Sequence, residues 1–297
     1  PYPTLFRSLL VAYLFMAMSV TVLVYFLNHV PSSIRINAVL EGIGRRLLSA
    51  IRKNFDEPMK ARVEGKVREG TPIFANGTGY IQVINWKELL EVARDSGAEL
   101  QLAVRTGDFV HPSVAIGYWS ERPDEKWSDE VRDCFALGDA RTPTQDLHFM
   151  MDELVEIGLR ALSPGINDPF TAISALHWIG AATAELGKRD LNWSVGKPDE
   201  DGRHPLLPMA DDFSHYVRRG FGTIRSAVAT SPPAATVMLD ALESTAATIT
   251  DPVRHKVVRD EAHQLMRQAK TCLTGPDLEQ VEAHYALFCK RVADGPE

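Results

Sequence analysis

Residues 9–27 run for nineteen positions without a charge and are dominated by Leu, Val, Met, Phe and Tyr. A helix of ~20 residues covers the ~30 Å hydrocarbon core of a bilayer, so this run constrains the chain more than any other feature. Two rivals are weaker. A cleaved signal peptide has an apolar stretch of only ~7–15 residues followed by a small-residue cleavage site, whereas this run ends in Asn28, His29, Val30 and Pro31. A buried soluble helix would carry one apolar stripe, and here apolar residues surround the helix.

Basic residues set the orientation. Arg35, Arg45, Arg46, Arg52 and Lys53 follow the run and only Arg7 precedes it, and a Lys/Arg excess marks the cytoplasmic flank. Ile36, Leu40, Ile43, Leu47 and Ile51 then recur at helical spacing. This amphipathic stretch reads either as a helix attracted to anionic headgroups or a partner, or as a linker helix docked on the chain's own soluble part.

The net charge of −7 gives no basic footprint for nucleic acid. Cys134, Cys272 and Cys289 form no C-x-x-C pair, which fits thiols in a reducing compartment. The chain opens on Pro1 with the apolar run close behind, so it is expected to be the C-terminal portion of a longer protein.

The remainder divides by texture into a membrane-anchored α+β fold. The expected organisation is a transmembrane helix over 1–31 (the last of several), a connector helix over 32–61, a small β domain with an inserted helix over 62–121, a linker over 122–142 and a helical bundle over 143–297. Strands are expected at 62–68, 79–84, 98–105 and 114–119, with a helix over 86–96 stopped by Gly97. The turn and strand around Gly107 and Val114–Ala115–Ile116 loosely resemble barrel-sandwich, lipoyl-like domains, without a carrier lysine. Asn76-Gly77-Thr78-Gly79 lacks the Gly-Lys-Ser/Thr ending of a phosphate loop and reads as a turn. Thr142, Pro143 and Gln145 look like the capped start of the first C-terminal helix, and prolines open later helices near 208, 232, 252 and 276.

Motifs of zinc proteases, serine hydrolases, P-loop enzymes and zinc ribbons are missing, which weighs against an enzyme, and no cofactor is expected. Asp211 and His215 could share a helix face, but without a third ligand no metal site is assigned. The polar groups that stand out are Arg141, Asp146, Asp152, Glu156, Arg160, Ser163, Asn167 and Asp168. Asp152, Glu156 and Arg160 are spaced by four, and a tight loop carries the last three. The plain reading is structural: Asp168 caps the next helix and the charges brace the corner. The functional one is that these residues bind a small anionic ligand.

The run Arg160-Ala161-Leu162-Ser163-Pro164-Gly165-Ile166-Asn167-Asp168-Pro169-Phe170-Thr171-Ala172, preceded by Thr144-Gln145-Asp146, resembles the signature of the bacterial predicted membrane proteins of the DUF2254 family. Phe26-Leu27-Asn28-His29-Val30 is similar to that family too. The resemblance implies several N-terminal transmembrane helices before the soluble region and supplies no catalytic residues. Together these readings predict an integral protein of the bacterial inner membrane with a cytoplasmic ligand-sensing or oligomerisation region, related to a channel or transporter. The bilayer, other copies of the chain and a small anion are its expected partners. The alternative is a membrane-tethered enzyme acting on a small anionic substrate at the Asp152, Arg160, Asn167 and Asp168 corner.

Overall fold

The computed structural model describes residues 2–33, 36–55, 70–191, 195, 204–209 and 212–293. It separates into two units, Pro1–Gly42 and Ile43–Glu297. The strand expected at 62–68 lies outside the described residues.

The first unit contains α1 (Tyr2–Ser33) and the beginning of α2 (Ile36–Asn54). Within α1, Arg7–Tyr25 has a mean hydropathy of 2.1 and buries none of its most apolar window, so among the described residues one helix is long and apolar enough to cross a membrane. The Thr21 hydroxyl is satisfied inside the helix, its Oγ1 donating to the Ala17 carbonyl at 2.8 Å. That is what an apolar surrounding demands of a polar group.

In the second unit the end of α2 packs on the chain itself. Ile43, Leu47 and Ile51 are buried, and a Cβ added to Gly44 would lie 2.2 Å from Cε3 of Trp178, so the helix backbone meets the indole face. Arg52 Nε donates to Glu185 at 3.0 Å. Over this stretch the amphipathic helix is docked on the second unit's own helices, because the apolar stripe finds a matching surface there.

The β-rich part holds β1 (Thr71–Phe74), β2 (Gly79–Ile84), α3 (Trp86–Asp95), β3 (Leu100–Leu102), β4 (Phe109–Val110), β5 (Ala115–Trp119), α4 (Glu125–Asp133), β6 (Phe135–Gly138) and β7 (Leu206–Leu207). One sheet has the order β1-β5-β3-β7, with β3 and β7 parallel; the other has the order β4-β2-β6 and is antiparallel. Alternate residues of both sheets, among them Ile73, Ile81, Leu100, Leu102 and Ile116, share one core with Leu89 and Val92 of α3. Asn85 caps α3 reciprocally, its Nδ2 donating to Glu88 at 2.6 Å while Glu88 N–H donates back at 3.4 Å. The segment 122–142, expected as a linker, instead supplies α4 and β6. Only Val131 of α4 is buried, so its composition reads as a linker, while β6 is held by backbone pairing along β2. β7 likewise is held by backbone pairing, here with β3.

The helical part comprises α5 (Leu147–Ala161), α6 (Pro169–Gly187), α7 (Phe213–Val217), a π turn (Arg218–Gly222), α8 (Thr223–Val228), α9 (Pro232–Ala246), α10 (Pro252–Cys272) and α11 (Gly275–Ala293). The described structure is thus mixed α+β and mostly helical. Small residues set the spacing: a Cβ on Gly158 of α5 would meet Ile224 and Ala175, and one on Gly180 of α6 would come within 2.9 Å of Ala241 on α9. α9 and α10 start at the expected prolines and α6 at Pro169, with Asp168 capping α6 and Asp251 capping α10. Two starts differ. The helix expected from Pro143 begins at Leu147, because Gln145 is drawn to the β part, accepting from Ile84 N–H at 3.0 Å and donating to Ile84 O at 3.3 Å. The helix expected from 208 begins at Phe213, capped by Asp212, and is interrupted by the π turn.

Candidate functional site

At the N-terminal end of α5 a carboxylate closes the helix and holds a guanidinium. Asp146 Oδ1 accepts from Phe149 N–H at 2.9 Å, and its Oδ2 accepts from Arg141 Nε at 2.9 Å and Nη2 at 2.7 Å. Six residues on, Asp152 accepts from Arg141 Nη1 at 2.6 Å and from Arg219 Nε at 2.7 Å and Nη2 at 2.6 Å. Two aspartates and two arginines therefore form one network across α5, its preceding loop and the π turn. The π turn lies close on α5 and α6, since a Cβ on Gly220 would be 3.0 Å from Ile179 and 3.3 Å from Met151 Sδ. Gly107 fits against the network for two reasons: its φ is +89°, and a Cβ there would fall 2.0 Å from Asp146 Oδ2.

The ionisation of this network is a contest between burial and pairing. Burial pulls the Arg141 pKa down, but the hydrogen bonds and charges of Asp152 and Asp146 raise it by more. Burial raises the Asp146 pKa beyond what the Phe149 N–H and Arg141 lower it. These directions pull opposite ways on one pair. The two-donor contact onto a single carboxylate oxygen, together with the helix N-terminus, makes the ionised pair the state we assign.

Against this network stands an aromatic group. His148 stacks on Tyr216 at 5.2 Å between centroids and meets the edge of His215 at 4.9 Å. Burial, followed by the charges of Arg219, Arg105, His215 and Arg141, lowers the His148 pKa to about 2, so the imidazole is neutral. Burial also lowers that of His215, with Arg105 and Arg219 next, and raises that of Tyr216. Asp211, the other half of the Asp211/His215 pair, lies outside the described residues.

His148 and Tyr216 line a cleft of about 300 Å³, which is at the lower end of small-molecule sites. The last residues of α2 (Lys53, Asn54), the β part (Trp86, Arg105, Thr106) and the segment entering α5 (Thr144, Gln145) complete much of its wall. Thr106 Oγ1 donates to the Gln145 carbonyl at 2.9 Å, joining two of these walls. The cleft thus lies where three parts of the chain converge.

Of the residues singled out in the sequence, Arg141, Asp146 and Asp152 come together in this network. Glu156, Arg160, Ser163, Asn167 and Asp168 do not join them; Arg160 is about 12 Å further along α5 than Asp152. Arg160 is 70% exposed and pairs with Glu156 at 2.6 Å. Ser163 Oγ donates to the Arg160 carbonyl at 2.7 Å, Asn167 takes a left-handed φ of 50°, and Asp168 accepts from Phe170 N–H, Thr171 N–H and Thr171 Oγ1. The Thr171 hydroxyl, then its N–H, hold the Asp168 pKa low. Each of these polar groups is engaged in closing α5 and starting α6. The sequence reading missed Lys53, Arg105, His148, Tyr216 and Arg219. Arg219 and Asp152 are 67 positions apart, and nothing local marks their pairing.

The family model described as "Predicted membrane protein (DUF2254)" matches residues 3–244. The uncharacterized protein Mb1321c of Mycobacterium bovis is 29% identical over 263 residues, covering 85% of this chain and 50% of that protein. The uncharacterized protein Rv1290c of Mycobacterium tuberculosis matches to the same extent. The chain spans about half the length of the curated relatives it matches. No solved structure matches it.

Proposed function

Because the chain belongs to the DUF2254 family of predicted membrane proteins, we propose that it is an integral protein of the bacterial cytoplasmic membrane, held by α1, whose cytoplasmic part senses a small ligand. The observation that carries this reading is the cleft of about 300 Å³ at the meeting of α2, the β part and the entry to α5. α2 follows the apolar helix α1 in the chain with two residues between them. A ligand in the cleft touches Lys53 and Asn54, so it favours the docked state of α2 over any other. That is the coupling a ligand-gated channel or transporter needs, and the basic residues Arg45, Arg46, Arg52 and Lys53 on α2 support the cytoplasmic side.

The reading is tested on the full chain in lipid nanodiscs, melted against small molecules of every charge type. A ligand that prefers the native state raises its melting temperature. The shift is expected to disappear in Thr144→Trp, which fills the cleft from an exposed position. A panel without effect, or a shift that survives in Thr144→Trp, refutes the reading. Orientation is tested with a membrane-impermeant maleimide on the exposed Cys272 and Cys289. Labelling only after permeabilisation is expected; labelling of intact cells places the soluble part outside.

A further inference from the structure

The charge of the cleft is opposite to that of the chain. The sequence carries a net −7, yet the wall contains Lys53 and Arg105 and, among the described residues, no carboxylate. A neighbouring cavity of about 270 Å³ shares Lys53, Asn54, Thr144, Gln145 and Leu147 with it, adds Arg46, and again includes no carboxylate. Asp108 stands behind Arg105, its Oδ2 3.7 Å from Nε, outside the wall. Asp146 and Asp152 are engaged by Arg141 and Arg219, so the network beside the cleft brings no net negative charge to it.

Beside the polar Asn54, Thr106, Thr144 and Gln145, the wall carries an apolar and in part aromatic surface: Phe55, Trp86, Val104, Leu147, Leu191 and Met209. A bare hydrated anion would leave this surface wetted and gain nothing from it. An apolar body removes it from water, which is favourable in proportion to the area covered, while a single negative group meets Lys53 or Arg105. A cation would meet the like charges of Lys53 and Arg105.

We infer that this cleft takes an amphipathic organic monoanion, with an apolar or aromatic body against Trp86 and Leu147 and its anionic group at Lys53 and Arg105. The inference rests on the ligand-binding reading above and specifies its ligand class. A free aromatic or aliphatic acid and the acidic end of a lipid share this chemistry.

The test uses the full chain in nanodiscs with 2-naphthoate, its neutral amide 2-naphthamide, acetate, inorganic phosphate and a lysophospholipid with an anionic headgroup, against empty nanodiscs. 2-Naphthoate is expected to bind at least tenfold more tightly than 2-naphthamide, acetate or phosphate. Its affinity should fall at least tenfold in Lys53→Gln and be kept in Lys53→Arg, where the charge is restored at an exposed position. Binding of the lysophospholipid with the same dependence on Lys53 identifies a lipid source, and binding of 2-naphthoate alone a soluble acid. Equal binding of the amide, or an unchanged affinity in Lys53→Gln, overturns anion recognition while leaving a ligand site in place. Acetate or phosphate binding as tightly as 2-naphthoate overturns the apolar part. If none of these compounds binds but another member of the wider panel does, the inference fails alone; if nothing binds, the ligand-binding reading fails with it.

Discussion

Replacing Asp146 by alanine removes two functions with one side chain. Asp146 is 1% exposed, caps α5 through Phe149 N–H at 2.9 Å and receives two hydrogen bonds from Arg141. Loss of the cap costs about 1 kcal/mol. Removing one member of a buried ion pair costs about 3–5 kcal/mol. Arg141 is 20% exposed and keeps Asp152 at 2.6 Å, so the second term falls to about 2 kcal/mol and the total to roughly 3 kcal/mol. Asp146→Asn keeps an oxygen for the cap and removes the charge, and is expected to cost about 2 kcal/mol. Asp168→Ala is the control, since Asp168 caps α6 with no guanidinium beside it and should cost only about 1 kcal/mol. The assay is urea unfolding of the micelle-held full chain, followed by tryptophan fluorescence, with Trp119 as a fully buried reporter. If Asp146→Ala costs no more than Asp168→Ala, the ion-pair argument is refuted.

Gly44→Ala should destabilise by about 1–3 kcal/mol in the same assay, because the new methyl meets Trp178; an exposed helix would instead gain up to about 1 kcal/mol, and a gain refutes the docking of α2 on α6. The pH dependence of stability should carry His148. Its imidazole binds a proton near 6.5 when unfolded and only near 2 when folded. The unfolded state therefore binds more protons between these values, and the stability that is fully present above 6.5 is lost as pH falls, by about 1.4 kcal/mol per unit. His148→Phe keeps a ring against Tyr216 and should flatten the slope between about pH 6 and 4 by close to one proton, as read from urea midpoints; an unchanged slope refutes the assignment.

How much of this was legible depends on how local each feature is. Nineteen uncharged residues make an apolar helix whatever surrounds them, and Asp168-Pro169 and Asp251-Pro252 start helices because each aspartate accepts from the N–H groups of the second and third residues after it. The Ser163–Asp168 corner is legible for the same reason, since its bonds close within the run itself. The spacing of Ile43, Leu47 and Ile51 gave a stripe and left open what covers it. The candidate site was half visible. Arg141, Asp146 and Asp152 stand close enough in sequence to attract attention, whereas Lys53 and Arg105 come from distant segments and carry no local mark of a shared wall, and Arg219 carries none of its pairing with Asp152.

The sequence by itself determined the apolar helix, the alternation of β-rich and helical parts, and the proline and aspartate starts of the later helices, because these depend on periodicity and on contacts within one turn. Only the tertiary structure decided that residues 135–138 and 206–207 are strands, since a short strand exists through the partner that satisfies its backbone. It also decided that Gln145 leaves the helix to bond Ile84, and that cations from α2 and the β part meet over one cleft. Charges far apart in the chain acquire an energy of interaction only when packing brings them within a few ångströms, and no local pattern encodes that distance.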